Sequence, residues 1–365
     1  MDTESFYFAV DTLKELIARP SFSREEQLAA DFLRETWSRD GQQVSRYGNN
    51  LLIIPETFRY NKPTVLLNSH IDTVKVAEGW TRDPFSPDES PDGDADNGEI
   101  RLYGLGSNDA GASLVSLYAA FRRLSLAEQP CNFIFLASAE EEVSGSGGVE
   151  SMLSRLPAIA LGVVGEPTGM QPAIAERGLM VLDCEATGRA GHAARNEGIN
   201  AIDIALADIQ WLHSHRFPLV SPLLGEVKAT ATVIHAGEQH NVIPDRCRFT
   251  ADVRSNGLYS NAELCRIIAD RLRSSVTPRS LRLNASHINP EHPLIRRAEL
   301  LGLQPFGSPT LSDQALMPFP TVKIGPGLSS RSHTADEYVR LSEIREAIEI
   351  YVRLLSGLIP DDSPC

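Results

Sequence analysis

Runs of apolar residues that end abruptly in polar ones recur along the first half of the chain. Residues 64–68, 132–138 and 161–164 are almost wholly apolar, as in strands that are buried on both faces of a sheet. Residues 51–54 and 100–103 predict two shorter strands. The polar residues that follow the long runs therefore predict a ligand site, because such sites lie beyond the carboxyl ends of strands in open α/β sheets.

Amphipathic helices are predicted before, between and after these strands. Apolar residues recur at helical spacing in five segments: 5–18, 23–40, 110–124, 294–301 and 342–355. Ser23 with Glu26 three residues later matches a capping box, which predicts the start of the second helix. The alternation of strands and helices favours an α/β domain with a central mixed sheet flanked by helices.

The rhythm changes after Thr168. Strands and helices are then predicted in the order βαββαβ, at residues 179–187, 201–214, 228–235, 247–253, 262–274 and 281–285. This order is that of a ferredoxin-like α+β unit. We therefore predict an inserted domain at 172–287, within a catalytic domain formed by 1–171 and 288–365.

Composition and charge exclude several classes of protein. The 365 residues are 42% hydrophobic and 22% charged, which is ordinary for a globular chain. A net charge of −14 argues against nucleic acid or an anionic membrane as partner. No apolar run is long enough to span a bilayer, and the first residues show no secretory signal. The five cysteines are scattered and never in C-x-x-C spacing, so we expect a cytoplasmic protein without a cysteine-ligated zinc.

His70 and Asp72 follow the strand at 64–68. They lie two residues apart, so on a continuing strand both side chains point the same way. An imidazole can bind a metal while a nearby carboxylate holds its other nitrogen. A buried histidine that only hydrogen-bonds an aspartate is an equally good reading of this pair alone.

Further carboxylates follow other predicted strands. Asp109 precedes the helix at 110–124, where it could be an N-cap or a ligand. Three glutamates, Glu140, Glu141 and Glu142, follow the strand at 132–138, and Glu166 follows the strand at 161–164. Crowded carboxylates raise one another's pKa unless cations are present, although a solvated loop would also tolerate them.

Together these side chains predict a metal site. With His333 late in the chain, they offer enough imidazole and carboxylate ligands for two metal ions that share a water nucleophile. This donor set suits Zn²⁺, and also Co²⁺ or Mn²⁺. A carboxylate that binds no metal can then serve as general base.

The sequence resembles a known family, the dinuclear-zinc metallopeptidases and deacylases. That family includes acetylornithine deacetylase, succinyl-diaminopimelate desuccinylase, glutamate carboxypeptidases and aminoacylase. Its elements occur here in order as HIDTV, GLGSND, EEE, GEPT, GRAGHA and HTADEYV, over almost the whole chain. WTRDPF and LYGLG are most similar to acetylornithine deacetylases, and HTADEYV to their N-acetylcitrulline-cleaving relatives.

The resemblance implies specific roles in the catalytic domain. His70, Asp109 and Glu166 would hold one zinc ion, and Asp109 would bridge to a second. The remaining roles fall to Glu142 and His333 as ligands of the second ion, Glu141 as general base, and Asp72 as the carboxylate that orients the first site.

The resemblance also implies roles in the inserted domain. His192 would reach the active site of a partner subunit and stabilise the oxyanion, although a core or surface histidine is the simpler reading of this residue alone. Asn241 and Arg254 would bind substrate, with Arg254 at its carboxylate. Two departures leave substrate preference open. No lysine follows Asp109, and Glu140 stands where relatives usually have aspartate.

The implied function is a metal-dependent amide hydrolase that removes the N-acyl group from an N-α-acylated amino acid. The expected substrate is N-acetylornithine, or N-acylcitrulline, in arginine biosynthesis. The alternatives are a succinyl-diaminopimelate desuccinylase, a dipeptidase or carboxypeptidase of the same family, and a non-catalytic binding protein. The edge strands of the inserted sheet also predict a homodimer.

Overall fold

The computed structural model describes residues 3–93, 98–195 and 197–360. Its α-helices are α1 (Thr3–Ile17), α2 (Gln27–Arg39), α3 (Ala112–Ser125), α4 (Val149–Met152), α5 (Ala201–Ser214), α6 (Asn261–Ala269), α7 (Pro293–Leu300) and α8 (Leu341–Leu355). Its strands are β1 (Val44–Tyr47), β2 (Asn50–Ile53), β3 (Thr64–His70), β4 (Asp88–Pro91), β5 (Ile100–Tyr103), β6 (Asn132–Ser138), β7 (Leu161–Val164), β8 (Ala173–Glu176), β9 (Met180–Thr187), β10 (Gly191–His192), β11 (Lys228–Ala236), β12 (Val242–Ile243), β13 (Arg246–Arg254), β14 (Ser275–Pro278), β15 (Ser286–His287), β16 (Phe306–Ser308), β17 (Thr321–Lys323) and β18 (Tyr338–Arg340).

The chain forms two compact units. Unit 1 takes the residues up to Ile174, then Ile288–Phe306, and the chain from Ser312 onwards. Unit 2 takes Ala175–His287 and Gly307–Leu311. No helix in the described part of the chain is long and apolar enough to cross a membrane.

A mixed sheet forms the centre of unit 1. Its strands run in the order β1-β2-β6-β3-β7-β17-β8. Strands β6, β3, β7 and β17 are parallel, whereas β1, β2 and β8 pair antiparallel with their neighbours. Every residue of β3 and β6 is buried, which explains their continuous apolar runs. The predicted central mixed sheet flanked by helices is confirmed.

Helices cover both faces of this sheet. On one face, the rings of Trp37, Tyr118 and Phe135 pack against one another, with Trp37 and Tyr118 stacked at 4.6 Å. On the other face, Leu66 and Met152 belong to a second apolar cluster. Burial on both faces gives the sheet a fixed register, so the ends of its strands are fixed too.

The parallel strands bring distant segments to one edge. In the register of the sheet, His70 of β3 lies beside Ser138, the last residue of β6, and Asn68 lies beside Val164, the last residue of β7. The residues that follow these strands therefore emerge close together, although about 95 residues separate the first from the last.

Unit 2 has the predicted βαββαβ order. Strands β11, β13, β9 and β14 form an antiparallel sheet in that spatial order, with α5 and α6 against it. Its core includes Leu182, Phe249, Leu264 and Ile268. This is the arrangement of a ferredoxin-like fold, so the predicted class of the insert is confirmed.

Three local predictions are wrong. The last strand of the four-stranded sheet of unit 2 is β14, not 281–285, where Leu283 is buried within a loop. Helix α2 begins at Gln27 rather than Ser23, because Ser23 and Glu26 bond other segments. The Pro, Asp, Gly and Ser content of residues 79–98 predicts a surface loop, but this segment contains β4, which pairs with β5. Residues 94–97 lie outside the described chain.

Candidate metal centre and active site

His70 is the last residue of β3, and one nitrogen of its ring is held by a hydrogen bond. Its Nδ1 lies 2.9 Å from the main-chain oxygen of Asp72, to which it donates as the Nδ1–H tautomer. The other ring nitrogen, Nε2, faces two carboxylates, 3.3 Å from Oδ1 of Asp109 and 3.7 Å from Oε1 of Glu166. A buried imidazole held in this way presents the lone pair of Nε2 to a metal.

Asp109 lies in the turn that leads into α3. The helix begins at Ala112 with Gly111 as its N-cap, so the alternative that Asp109 caps the helix is wrong. Its two carboxylate oxygens face two different histidines: Oδ1 faces His70, and Oδ2 lies 3.5 Å from Nε2 of His333. A carboxylate with one oxygen towards each histidine has the arrangement that bridges two cations.

The glutamates after β6 form a short 3₁₀ turn, Glu141–Val143. Oε2 of Glu142 lies 3.0 Å from Nε2 of His333. Two overlapping groups have ligand atoms within 4.8 Å of one another: His70, Asp109 and Glu142, and His70, Glu141 and Glu166. The structure thus brings together all the predicted ligands of unit 1, and it places Glu141 among them.

Crowding and burial shift the protonation of these groups. Burial raises the pKa of Glu166 to about 8, and burial together with Glu166 raises the pKa of Glu141 well above its usual value. The hydrogen bond that His333 donates to the Glu142 carboxylate raises the pKa of His333 to about 9. Burial lowers the pKa of His70, but the Asp109 and Asp72 carboxylates outweigh it and raise that pKa well above its usual value. The site binds protons strongly because burial and the mutual repulsion of its carboxylates both favour the protonated forms.

The donor set fits divalent metal ions. Imidazole nitrogens and carboxylate oxygens converge there, close enough to share a metal ion. A cation would offset the burial and the repulsion that raise the pKa values of Glu141, Glu142 and Glu166. The same set suits Zn²⁺, Co²⁺ or Mn²⁺, so the geometry does not select one of them.

Asp72 holds both the His70 ring, whose Nδ1 lies 3.5 Å from its Oδ1, and residues 139–142, which we call the glutamate turn. Its two carboxylate oxygens accept the backbone N–H groups of Glu141 and Glu142 at 3.0 and 3.1 Å, and the hydroxyl of Ser23 at 2.7 Å. Burial raises its pKa, but His70 and Ser23 outweigh this effect and hold that pKa below its usual range. An ionised Asp72 therefore fixes both the His70 ring and the turn.

Glu337, like Asp72, fixes a turn through hydrogen bonds to its backbone, a role that the sequence did not reveal. Its buried carboxylate accepts the backbone N–H groups of Gly106, Asn108 and Asp109, which fixes the turn that carries the bridging aspartate. Burial raises the pKa of Glu337 to about 8. The signal was present in HTADEYV, where two acidic residues, Asp336 and Glu337, stand between His333 and the strand β18.

The remaining predicted residues lie in unit 2. His192 is exposed on β10, next to Ala193, whose N–H donates to the main-chain oxygen of Asn241 at 3.0 Å. Asn241 is exposed as well. Arg254 ends β13 and donates from Nε and Nη2 to the two carboxylate oxygens of Asp252, at 2.8 and 3.0 Å. The catalytic and substrate roles of these three residues stay predictions.

Comparisons with known proteins point the same way. Residues 66–357 match the model of peptidase family M20/M25/M40. The acetylornithine deacetylase of Klebsiella pneumoniae is 28% identical over 386 residues, covering 93% of this chain and 95% of that protein. The acetylornithine deacetylase of Salmonella typhimurium is 27% identical over 387 residues, covering 95% and 96%.

Solved structures share the fold. The aminopeptidase PepT of Bacillus cereus superposes with a TM-score of 0.75 at 20% identity, covering 96% of this chain and 98% of that one. A dinuclear metal binding peptidase of the M20 family from Bacillus subtilis superposes with a TM-score of 0.71 at 15% identity, covering 97% and 98%. Because the family model matches most of the chain, this protein belongs to peptidase family M20/M25/M40 and is a metal-dependent hydrolase.

Proposed function

We propose that this protein is a dizinc deacylase that removes the acyl group from an N-acylated amino acid. The observation that carries the proposal is the position of Asp109, whose two oxygens face His70 and His333 separately. Glu142 lies on the His333 side and Glu166 on the His70 side, so each candidate metal position has its own histidine and its own carboxylate.

The proposed chemistry divides between the metals and one glutamate. Two bound divalent ions would lower the pKa of a water molecule and polarise the acyl carbonyl. Glu141 accepts the proton of the attacking water and later delivers it to the leaving amine nitrogen. Its raised pKa suits a group that must take a proton and then release it.

The acyl substrate that we propose is N-acetylornithine or a close analogue, which would place the enzyme in arginine biosynthesis. The names of the curated relatives and the WTRDPF and LYGLG segments support this choice. The absence of a lysine after Asp109 keeps N-acylcitrulline, succinyl-diaminopimelate and dipeptides as alternatives. Arg254 would pair with the substrate carboxylate, and Asn241 would bind its polar groups.

A substrate panel tests this proposal. N-acetyl and N-succinyl derivatives of ornithine, citrulline, lysine and diaminopimelate would be compared with dipeptides, using purified protein supplied with Zn²⁺ and then Co²⁺. The proposal predicts the highest kcat/KM for an N-acetyl amino acid with a free carboxylate. A preference for dipeptides or succinyl substrates would move the function to an alternative, and no hydrolysis of any of them would overturn it.

We also propose that the enzyme acts as a cytoplasmic homodimer in which His192 serves the partner's site. Strand β11 is an outer strand of the unit 2 sheet as described, and its Val233 and Ile234 are exposed. An apolar outer strand favours pairing with a second copy about a two-fold axis. His192 would then stabilise the oxyanion, a role worth roughly 2.7–4 kcal/mol.

Subunit exchange tests the trans role of His192. Glu141→Gln and His192→Ala are each expected to be nearly inactive. In a mixed dimer one site combines an intact Glu141 with an intact His192, so random exchange should restore about a quarter of the native activity. Full turnover by a monomeric variant, or no recovery when exchange is demonstrated, would contradict the proposal.

A further inference from the structure

Four consecutive backbone N–H groups in the glutamate turn donate to side chains of other segments. This turn, residues 139–142, carries the candidate base Glu141 and the candidate ligand Glu142. The four donors and their acceptors are Ala139 to Oδ1 of Asn50 at 2.9 Å, Glu140 to Oε1 of Glu26 at 3.2 Å, Glu141 to Oδ1 of Asp72 at 3.0 Å, and Glu142 to Oδ2 of Asp72 at 3.1 Å.

Asn50 and Glu26 are buried, and each makes a further hydrogen bond. Asn50 is 1% exposed and donates from Nδ2 to the main-chain oxygen of Gly147 at 2.7 Å, which ties the far end of the loop to β2. Glu26 is completely buried, and its second oxygen accepts from Nδ2 of Asn49 at 2.8 Å. Both acceptors therefore have little freedom to move.

Glu26 does not cap its own helix. It occupies the N-cap position of α2, but its side chain accepts no capping bond from the helix. The carboxylate accepts instead from the N–H groups of Arg24 and Glu140. A buried carboxylate is costly unless it is well hydrogen-bonded, so its place here is explained by the segments that it joins.

The turn needs support from outside itself. Glu140 has a φ of +56° and Ser144 a φ of +44°, a left-handed conformation that is unfavourable for residues with a side chain. Such a conformation persists only when neighbouring groups fix it. Loss of one acceptor would release the N–H group beside Glu141 and let the turn relax, which would move the Glu141 carboxylate.

We propose that Glu26 and Asn50 are positioning residues for Glu141. This rests on the proposed function of Glu141 as general base. Like Asp72, Glu26 and Asn50 accept hydrogen bonds from the backbone of the glutamate turn. Neither residue contacts the donor groups in the described structure, so their effect passes through the turn's backbone. The chain thus sets the base with three acceptors from three segments that are distant in sequence.

The test compares Glu26→Ala with Glu26→Gln and with Glu25→Ala, a neighbouring exposed glutamate as matched control. For Glu26→Ala we expect kcat to fall about 10- to 100-fold, because small displacements of a catalytic group have effects of that size. KM should stay within about 3-fold, and the metal content should equal that of the unmodified protein. Glu26→Gln keeps an acceptor for Glu140 and should recover most of kcat, and Glu25→Ala should behave as the unmodified protein.

Hydrogen exchange gives a readout that does not need turnover. Amides of residues 139–142 should exchange faster in Glu26→Ala than in Glu25→Ala, with exchange elsewhere in unit 1 unchanged. If Glu26→Ala does not fold, Asn50→Ala should show the same pattern. Unchanged exchange and kcat in both variants, or a fall in kcat that follows metal loss, would overturn the proposal. If the unmodified protein hydrolyses nothing, the exchange result still tests the turn, and only the proposed function fails.

Discussion

The two units place their candidate functional residues in opposite ways. In unit 1, His70, Asp72 and Glu166 lie at buried strand ends, and buried carboxylates fix the turns that carry the other donors. In unit 2, His192 and Asn241 are exposed on short strands and loops. Groups that are buried and bonded on several sides have one geometry, as bond cleavage requires. Exposed groups on a separate scaffold can vary, as the choice of substrate requires.

The difference also concerns charge. Unit 1 gathers carboxylates, among them Glu141 and Glu166, whose pKa values are raised by burial and by mutual repulsion, whereas Arg254 in unit 2 already pairs with Asp252. The first region is therefore organised to attract cations, and the second can exchange one carboxylate partner for another. We infer that unit 1 carries the metal ions and the base, and that unit 2 supplies the substrate contacts and, through His192, the stabilisation of the oxyanion.

Of the changes to either unit, metal removal from unit 1 should have the largest effect on turnover. Dialysis against a chelator should abolish measurable turnover, because the attacking water and the acyl carbonyl both depend on the bound ions. Re-addition of Zn²⁺ or Co²⁺ should restore it. Assays before and after dialysis check this, and turnover that persists in metal-free, folded protein would break the comparison.

Removal of the base should have the next largest effect. Glu141→Gln is expected to lower kcat by at least ~10²-fold, which is the usual scale for the loss of a general base. KM should change little because the substrate contacts assigned to unit 2 are untouched. Steady-state kinetics measure both constants, with Glu25→Gln as surface control. A near-normal kcat would transfer the role to another group.

A change in unit 2 should act on binding instead. Arg254→Met is expected to raise KM about 10- to 100-fold with little change in kcat, because a charge-assisted hydrogen bond contributes about 1.5–3 kcal/mol. A substrate whose carboxylate is converted to an amide gives the control, since the variant and the unmodified enzyme should treat it alike. An equal loss on both substrates would show that Arg254 supports the fold rather than the substrate.

The smallest effect concerns the stability of the metal-free protein. Burial raises the pKa of Glu337 to about 8 in the fold, so the folded state binds more protons than the unfolded chain. The free-energy cost of burying Glu337 as an anion therefore begins to lower the stability of the fold above about pH 4.5, and this destabilisation is complete above about pH 8. The stability that His333 contributes is present below its usual pKa and lost as pH rises through about 9.

Both shifts have the same sign, so the metal-free protein should become less stable between pH 5 and pH 9. Thermal unfolding across this range, with and without Zn²⁺, measures the slope. Bound metal should weaken the dependence because it supplies the counter-charge. A metal-free protein that gains stability with rising pH would contradict this account of the electrostatics.

Much of the centre could be predicted from the sequence because His70, Asp109, Glu142 and Glu166 each follow an apolar strand or a glycine-containing turn, whereas the role of His333 came from the resemblance to the family. His70, Glu142 and Glu166 stand where β3, β6 and β7 end, and the parallel register brings them together. Apolar runs mark such strands clearly, since burial on both faces leaves no polar position. The βαββαβ order of unit 2 was visible for a similar reason, through alternation and helical spacing.

The supporting residues were harder to predict. Ser23 and Glu26 have the spacing of a capping box, but their side chains bond Asp72 and Glu140, which are distant in sequence. A local pattern cannot distinguish a bond within a helix from one to another segment. Glu337 was missed for the same cause, because its three bonds all reach back to the turn at Gly106–Asp109.

The most direct test of the central claim is the number of metal ions held by the unmodified protein and by Glu141→Gln. Ligand atoms of His70, Glu141 and Glu166 lie close enough for Glu141 to be a ligand, whereas we propose that Glu141 transfers protons. Elemental analysis after mild supply of Zn²⁺ should give about two ions per chain in both proteins, with turnover lost only in the variant. One ion or none in the unmodified protein, or the loss of an ion in Glu141→Gln, would contradict the account.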